Sequence, residues 1–250
     1  FFGSFMDLFQ RVEIQAGGDW HVLFKQADDA DIAAIRSDDS VAAVSVYSNL
    51  GTIQLAEKTG RYQSIKLAAL DGFGFKHMQV NLTQGRYPKN NAECVLSADF
   101  AAKAGYDVGD TLNTKQSGLG GLISGVNTTY AIVGLAQMDV FEKSWYDYAC
   151  AFTLADGSIA GGDPVAYVTL KHPTSALFGW GQEIAKANDL VVDYHNILLM
   201  YMGLTGDAAL LVTFWMVAGI LLAIIMLGSV ALIYNAFAIS VTDRSAQFGM

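Results

Sequence analysis

Apolar and polar residues alternate with a recognisable period along most of this chain, but from 208 to 242 the alternation stops and no Asp, Glu, Lys or Arg occurs. So long an apolar run predicts a membrane-spanning helix, because only a helix satisfies its own backbone groups while crossing a bilayer as a single segment. Trp215 and Tyr234 are separated along such a helix by about 28 Å, close to the depth of the hydrocarbon layer. Aromatic residues at that separation match the two interfacial belts. The span is therefore placed at 208–234, and 235–250 are expected to leave the membrane as continuing helix.

Upstream the periods are shorter. Phe1, Phe2, Phe5, Leu8, Phe9 and Val12 recur at helical spacing until Gly17 and Gly18, which predicts an amphipathic helix. Alternation at 20–24 predicts a strand, and Asp28 or Asp29 caps a short helix carrying Ile32 and Ile35. Residues 41–47, 52–55 and 62–70 read as strands separated by turn residues at Ser48, Asn49, Thr59 and Gly60. A turn at 85–88 precedes a strand at 93–96, a Ser97-capped helix with Phe100 and Ala101, and a strand at 111–115.

The glycines from Gly118 to Gly125 lack the spacing of a phosphate loop and read as a flexible hairpin tip. Strands come next at 130–135, 148–154 and 165–170. Pro173 and Thr174 open a helix whose stripe is Leu177, Trp180, Ile184 and Ala187, and which ends near Asn188. A short strand at 190–192 and a helical stretch at 195–202 lead through Gly203 and Gly206 to the apolar run. Strand-helix patterning at both ends around a glycine-rich middle predicts an α+β domain in two parts, with 81–147 inserted into a unit built from the segments on either side.

Charge narrows the partners. The net charge is -9 over 250 residues, and beyond position 207 only Asp243 and Arg244 are charged. The first part is thus acidic, which argues against nucleic acid and against docking on anionic lipid. Cys94 and Cys150 match no metal spacing; they form either one bridge or two buried small side chains. His21, His77, His172 and His195 are dispersed, and no nucleophile elbow or metal-ligand pattern occurs. No catalytic, cofactor-binding or metal-ligating residue is nominated. Paired acids at Asp28–Asp29 and Asp38–Asp39 fit caps and turns, while Asn81-Leu82-Thr83 and Asn127-Thr128-Thr129 satisfy the glycosylation acceptor pattern.

Two stretches carry a family resemblance. The first is Gly85-Arg86-Tyr87-Pro88 with Glu93, Val95-Leu96-Ser97, Phe100-Ala101, Val108-Gly109-Asp110 and Ile132-Val133-Gly134. It resembles the extracytoplasmic core domain of MacB/FtsX-type ABC transporter permeases. The second comprises Ile233-Tyr234-Asn235-Ala236-Phe237 and the residues from Asp243 to Met250; it is similar to that family's second transmembrane helix entering a cytoplasmic coupling region.

The resemblance implies a fragment of a longer permease. Residues 1–16 would be the outer end of a preceding transmembrane helix, 17–206 the extracytoplasmic domain, 208–234 the second span and 235–250 the start of the coupling region. Arg244, Gln247 and Phe248 would then face a partner ABC ATPase, since an amphipathic helix presents one face to a partner groove. The chain itself would bind no nucleotide. It would pair with a second permease copy or a related one, and sit in the lipid bilayer. If the family is bacterial, the two glycosylation patterns are chance matches. A membrane-anchored extracellular sensor is the alternative from another class: further hydrophobic spans after Met250 would favour the permease, a kinase or coiled-coil extension the sensor. An anchored enzyme would need a cluster of perturbed titratable groups in a cleft.

Overall fold

Ten strands join one mixed sheet in the computed structural model, which describes residues 2–114, 129–139, 141–142, 146–155, 164–206, 212–213, 216–217 and 219–234. In chain order the elements are α1 (Phe2–Gly17), β1 (Val22–Lys25), α2 (Asp29–Ser37), β2 (Val41–Thr59), β3 (Tyr62–Leu70), α3 (Gly74–His77), β4 (Asn81–Gly85) and β5 (Glu93–Ser97). After them come α4 (Ala98–Ala104), β6 (Thr111–Asn113), β7 (Thr129–Gln137), β8 (Tyr148–Leu154), β9 (Pro164–Leu170), α5 (Ala176–Ala187), β10 (Val191–Tyr194) and α6 (Asn196–Tyr201). The sheet runs β10-β1-β9-β2-β3-β8-β5-β7-β4, with β6 also on β7. β3 pairs parallel with β8, and β5 with β7; the other pairs are antiparallel.

The central strands are buried on both faces, which is why they read as nearly continuous apolar runs. On β3, Ile65, Leu67 and Ala69 join one core with Phe100 of α4, while Ala68 and Leu70 join another with Phe75 and Met78 around α3. A third core fills the β1-β9-β2 end beneath α2 and α5, with Val22, Phe24, Ile32, Ile35, Val168 and Leu177. Residues 81–139 supply β4 to β7, at the opposite end of the same sheet.

α2 forms where its cap signals it. Asp28 accepts from Asp31 N–H at 2.8 Å, and the Asp31 carboxylate accepts from Asp28 N–H at 3.0 Å. This reciprocal box satisfies two donors that a helix start leaves open. Ile32 and Ile35 then point inward.

Two sequence expectations change. The strands at 41–47 and 52–55 are one strand, β2, with a bulge rather than a turn at Asn49. Gly51 adopts φ +117° and donates its N–H to Asn49 Oδ1 at 3.1 Å, so the strand bends without reversing, and β3 pairs both halves. In α5 the fully buried positions are Leu177, Gly181 and Ala185; of the expected stripe, Leu177 is among them, Trp180 and Ile184 are half-buried against the same core, and Ala187 is exposed. Gly181 is buried by β10: Tyr194 lies so close that a Cβ on Gly181 would fall 2.9 Å from its hydroxyl. Trp180 lies edge-on to Phe24 of the same core and donates Nε1–H to Asp38 at 2.9 Å.

Residues 205–250 form a separate unit. Its described residues from 212 onward are helical and exposed throughout. Among the described residues no helix is long and apolar enough to cross a membrane. The expected span of 208–234 includes positions outside the described residues, Trp215 among them, as do Arg244, Gln247, Phe248 and the Gly118–Gly125 tip.

Candidate functional site

Three places concentrate polar chemistry, and the first is the connection from β4 to β5, part of the stretch that carried the sequence resemblance. Arg86 donates Nη1–H and Nη2–H to the two oxygens of Glu93, both at 2.7 Å, and Lys89 N–H donates to the same carboxylate at 2.8 Å. Two parallel charge-assisted bonds fix the plane of the pair as well as its distance. Arg86 holds the Glu93 carboxyl down at about 2. Tyr87 pins this connection to the start of β4 by donating its hydroxyl to Val80 O at 2.8 Å. The arrangement clamps β4 to β5 and is structural.

The second place is where the chain enters and leaves the sheet. α1 runs beside α6: Phe9 stacks on Tyr201 at 5.3 Å, and Gln10 donates Nε2–H to Tyr201 O at 2.9 Å. At the next turn the His195 ring lies between three groups. Its Nδ1 is 3.0 Å from Trp20 O, its Nε2 is 3.2 Å from Glu13 Oε1, and its face stacks on Trp20 at 4.4 Å. Both facing oxygens accept, so each contact is a hydrogen bond when the ring nitrogen on that side carries the proton. Beside it His21 is arranged oppositely. Its Nδ1 accepts from Leu170 N–H at 3.0 Å, its Nε2 is buried without a partner among the described residues, and burial lowers its pKa.

Gly17 makes room for this junction. A Cβ there would sit 2.7 Å from His195 Nε2 and 3.2 Å from Glu13 Oε1. Gly17→Ala is therefore expected to destabilise the domain by about 1–2 kcal/mol, net of the helix-propensity gain. A denaturation midpoint equal to the wild type would mean that the ring has space to withdraw.

The third place is the cleft beside β5, a cavity of about 330 Å³ lined by Arg61, Ser97, Asp99, Asp139 and Glu142 among others. Glu142 is the unusual group. Ser97 Oγ–H donates to its Oε2 at 2.7 Å, and Cys150 N–H donates to its Oε1. Burial pushes its pKa up to about 7, against the pull of those two bonds and of Arg61. The carboxyl thus ties the start of α4 to β8.

The two thiols are free and buried. Cys94 packs with Leu96 and Ala149, Cys150 with Val95 and Phe152. They face opposite sides of the sheet, which excludes the bridge left open by the sequence. Burial raises both pKa values, that of Cys94 to about 12. Among the described residues no group of three His, Cys, Asp or Glu side chains could hold a metal ion. Of the histidines, the fold brings His21 and His195 together through a backbone bond, His195 N–H to His21 O at 3.1 Å. Glu13, Trp20 and Glu142 are not visible as site residues in the sequence, since their partners lie far along the chain and no spacing rule joins them.

The periplasmic region of MacB from Actinobacillus actinomycetemcomitans superposes on 80% of this chain and 100% of its own length, with a TM-score of 0.51 at 10% sequence identity. The fold is that of the MacB periplasmic region. The extracellular domain of the ABC-type transporter YknZ from Gram-positive bacteria matches 70% of this chain and 99% of its own, with a TM-score of 0.47 at 12% identity. No family model and no curated protein matches the chain. Within the MacB-like fold, the α1–α6 junction lies where the domain begins and ends, and the Glu142 cleft lies in the half built from β4 to β8.

Proposed function

We propose that this chain is the outer domain and second transmembrane helix of an ABC transporter permease, coupling ATP hydrolysis by a partner ATPase to work on a substrate outside the cytoplasm. The observation that carries the reading is the pairing of α1 with α6. A domain inserted between two consecutive spans must take in and release the chain at one place, and two packed helices held by Glu13 and His195 do this. The MacB-like fold supports the same reading. So does the helix at 219–234, whose apolar side chains are exposed all round, Leu227 at 71% and Leu232 at 72%. Such a surface is costly in water and at home in lipid.

On this reading 1–16 continue a preceding span, 17–206 lie outside the cytoplasm, with 81–147 as an inserted part, 208–234 cross the bilayer, and 235–250 begin the coupling region. The permease works as a homodimer or heterodimer, and ATP is handled by the partner alone. Nucleotide drives the cycle only by binding two arrangements of the helices with different affinity. Arg244, Gln247 and Phe248 contact the ATPase.

The full-length protein, purified from its own membranes in mild detergent, is expected to bring ATP-hydrolysing activity with it. Arg244→Glu combined with Phe248→Ala should reduce the recovered activity about tenfold, the cost of losing one desolvated charge pair and one buried anchor. A wild-type preparation without ATP hydrolysis, or a double variant that retains all of it, would overturn the assignment.

A further inference from the structure

We propose that a recess over β3 and β8 binds a small aromatic carboxylate, its ring held among Tyr47, Tyr148 and Phe152 and its carboxylate on Lys66. The parallel register sets the geometry. Lys66 pairs with Cys150 and Ala68 with Phe152, so these four side chains stand on one face of the sheet together with Tyr148. Ala68 and Cys150 are short and leave a floor, while the rings around them are tall. The resulting cavity measures about 190 Å³. A cavity of about 150 Å³ lined by apolar groups accepts benzene, so this one has room for a single ring with its substituent at the mouth.

The walls suit a flat guest. Tyr47 stacks on Phe141 at 6.0 Å, Tyr146 on Tyr148 at 4.8 Å, and Phe141 meets Phe152 at 4.6 Å. These contacts fix the rings before any ligand arrives, and preformed aromatic walls lower the ordering cost of binding. Lys66 decides the charge of the guest. Its half-buried ammonium lies 4.7 Å from the centre of the Tyr148 ring, and among the described residues no carboxylate lies within 4.0 Å of it. This ammonium rests on a ring at the recess, in a chain with 24 acidic and 15 basic side chains. It repels a cationic guest and offers an anionic one a charge-assisted hydrogen bond. The neighbouring carboxyl, Glu142, does not compete for it, being occupied by Ser97 and the Cys150 N–H.

The test uses the full chain in detergent micelles and three probes of one size: benzoate, benzyl alcohol and benzylamine, with affinities measured by saturation-transfer NMR titration. Benzoate is expected to bind most tightly and benzylamine least. Lys66→Met should weaken benzoate about tenfold, the worth of one charge-assisted bond, and leave benzyl alcohol within about twofold, since the apolar walls remain. Tyr47→Leu should weaken benzoate and benzyl alcohol alike. Lys66→Gln serves as the second charge variant, and both must melt like the wild type. Equal affinity for benzoate and benzylamine, no benzoate binding at millimolar concentration, or unchanged benzoate affinity in both Lys66 variants would overturn the proposal.

Discussion

Gly85→Ala is expected to destabilise the domain by about 3 kcal/mol or more, one of the largest effects open to a single methyl group. Gly85 adopts φ +76°, and a Cβ there would fall 2.3 Å from Val133 O and 2.8 Å from the Cα of Gly134. Both obstacles are backbone, so no rotamer relieves them. Nor can the strands separate freely: Arg86 donates its N–H to Val133 O at 2.9 Å, and Gly134 lies opposite Gly85 in the β4–β7 register. Gly134 has the mirror problem, since a Cβ on it would sit 2.5 Å from Arg86 O. Gly105→Ala is the control. It has nearly the same φ, +78°, with nothing within 4 Å of the new atom, so only the left-handed strain of about 1 kcal/mol is added. Denaturant titrations of the two variants separate close packing from strain. Equal losses would mean that β4 yields.

The second large effect is on pH dependence. Glu142 has a folded pKa of about 7, above its ordinary 4.5, so the folded state holds this proton more tightly than the unfolded one. Its contribution to stability is complete below the unfolded value and fades as pH rises through the folded one. Across that window the difference amounts to up to about 3 kcal/mol. Glu142→Gln carries no charge at any pH and keeps an acceptor for the Cys150 N–H. Its stability should therefore exceed that of the wild type above pH 8, and the gap should close toward pH 5 as the wild-type carboxyl takes up its proton. Urea midpoints of both proteins at several pH values measure this. Parallel curves would show that Glu142 is solvated after all.

What can be read in the sequence depends on the range of the signal. Asp28 and Ser97 announce their helices because a cap and its helix are neighbours, and the strands at 62–70 and 148–154 announce themselves through apolar content. The β2 bulge reads as a turn because Asn49 and Gly51 have the chemistry of one, and only pairing with β3 on both sides decides between reversing and bending. The apolar stripe of α5 is legible as far as Leu177, Trp180 and Ile184, but Gly181 looks neutral in sequence and becomes a buried contact point only once Tyr194 is beside it. The polar sites are hidden altogether. His195 meets Trp20 and Glu13 from 175 and 182 positions away. Glu142 gains its character from burial between Ser97 and Cys150, which no local pattern encodes. The motif at 85–88 reads as a turn in sequence, but Gly85 ends β4 and Arg86 still bonds Val133 of β7, so the chain turns only at 89–92; Arg86, Glu93 and the facing pair of glycines hold it there.

The position of β1 has a consequence in time. This early strand lies between β9 and β10, with Val22 opposite both Val168 and Tyr194. Both edges of β1 thus wait for partners made more than a hundred residues later, and its side chains, Val22 and Phe24 fully buried in the finished sheet, have until then only α2 and β2 of their core to pack against, without β9 and α5. A chain emerging from its amino end can assemble β2 with β3 as soon as both exist. The first strand must be kept apart from other chains until almost the whole domain has been made. The same closure that sets α1 beside α6 therefore makes folding a late event in synthesis, and ties completion of the domain to arrival of the segment that precedes the apolar helix.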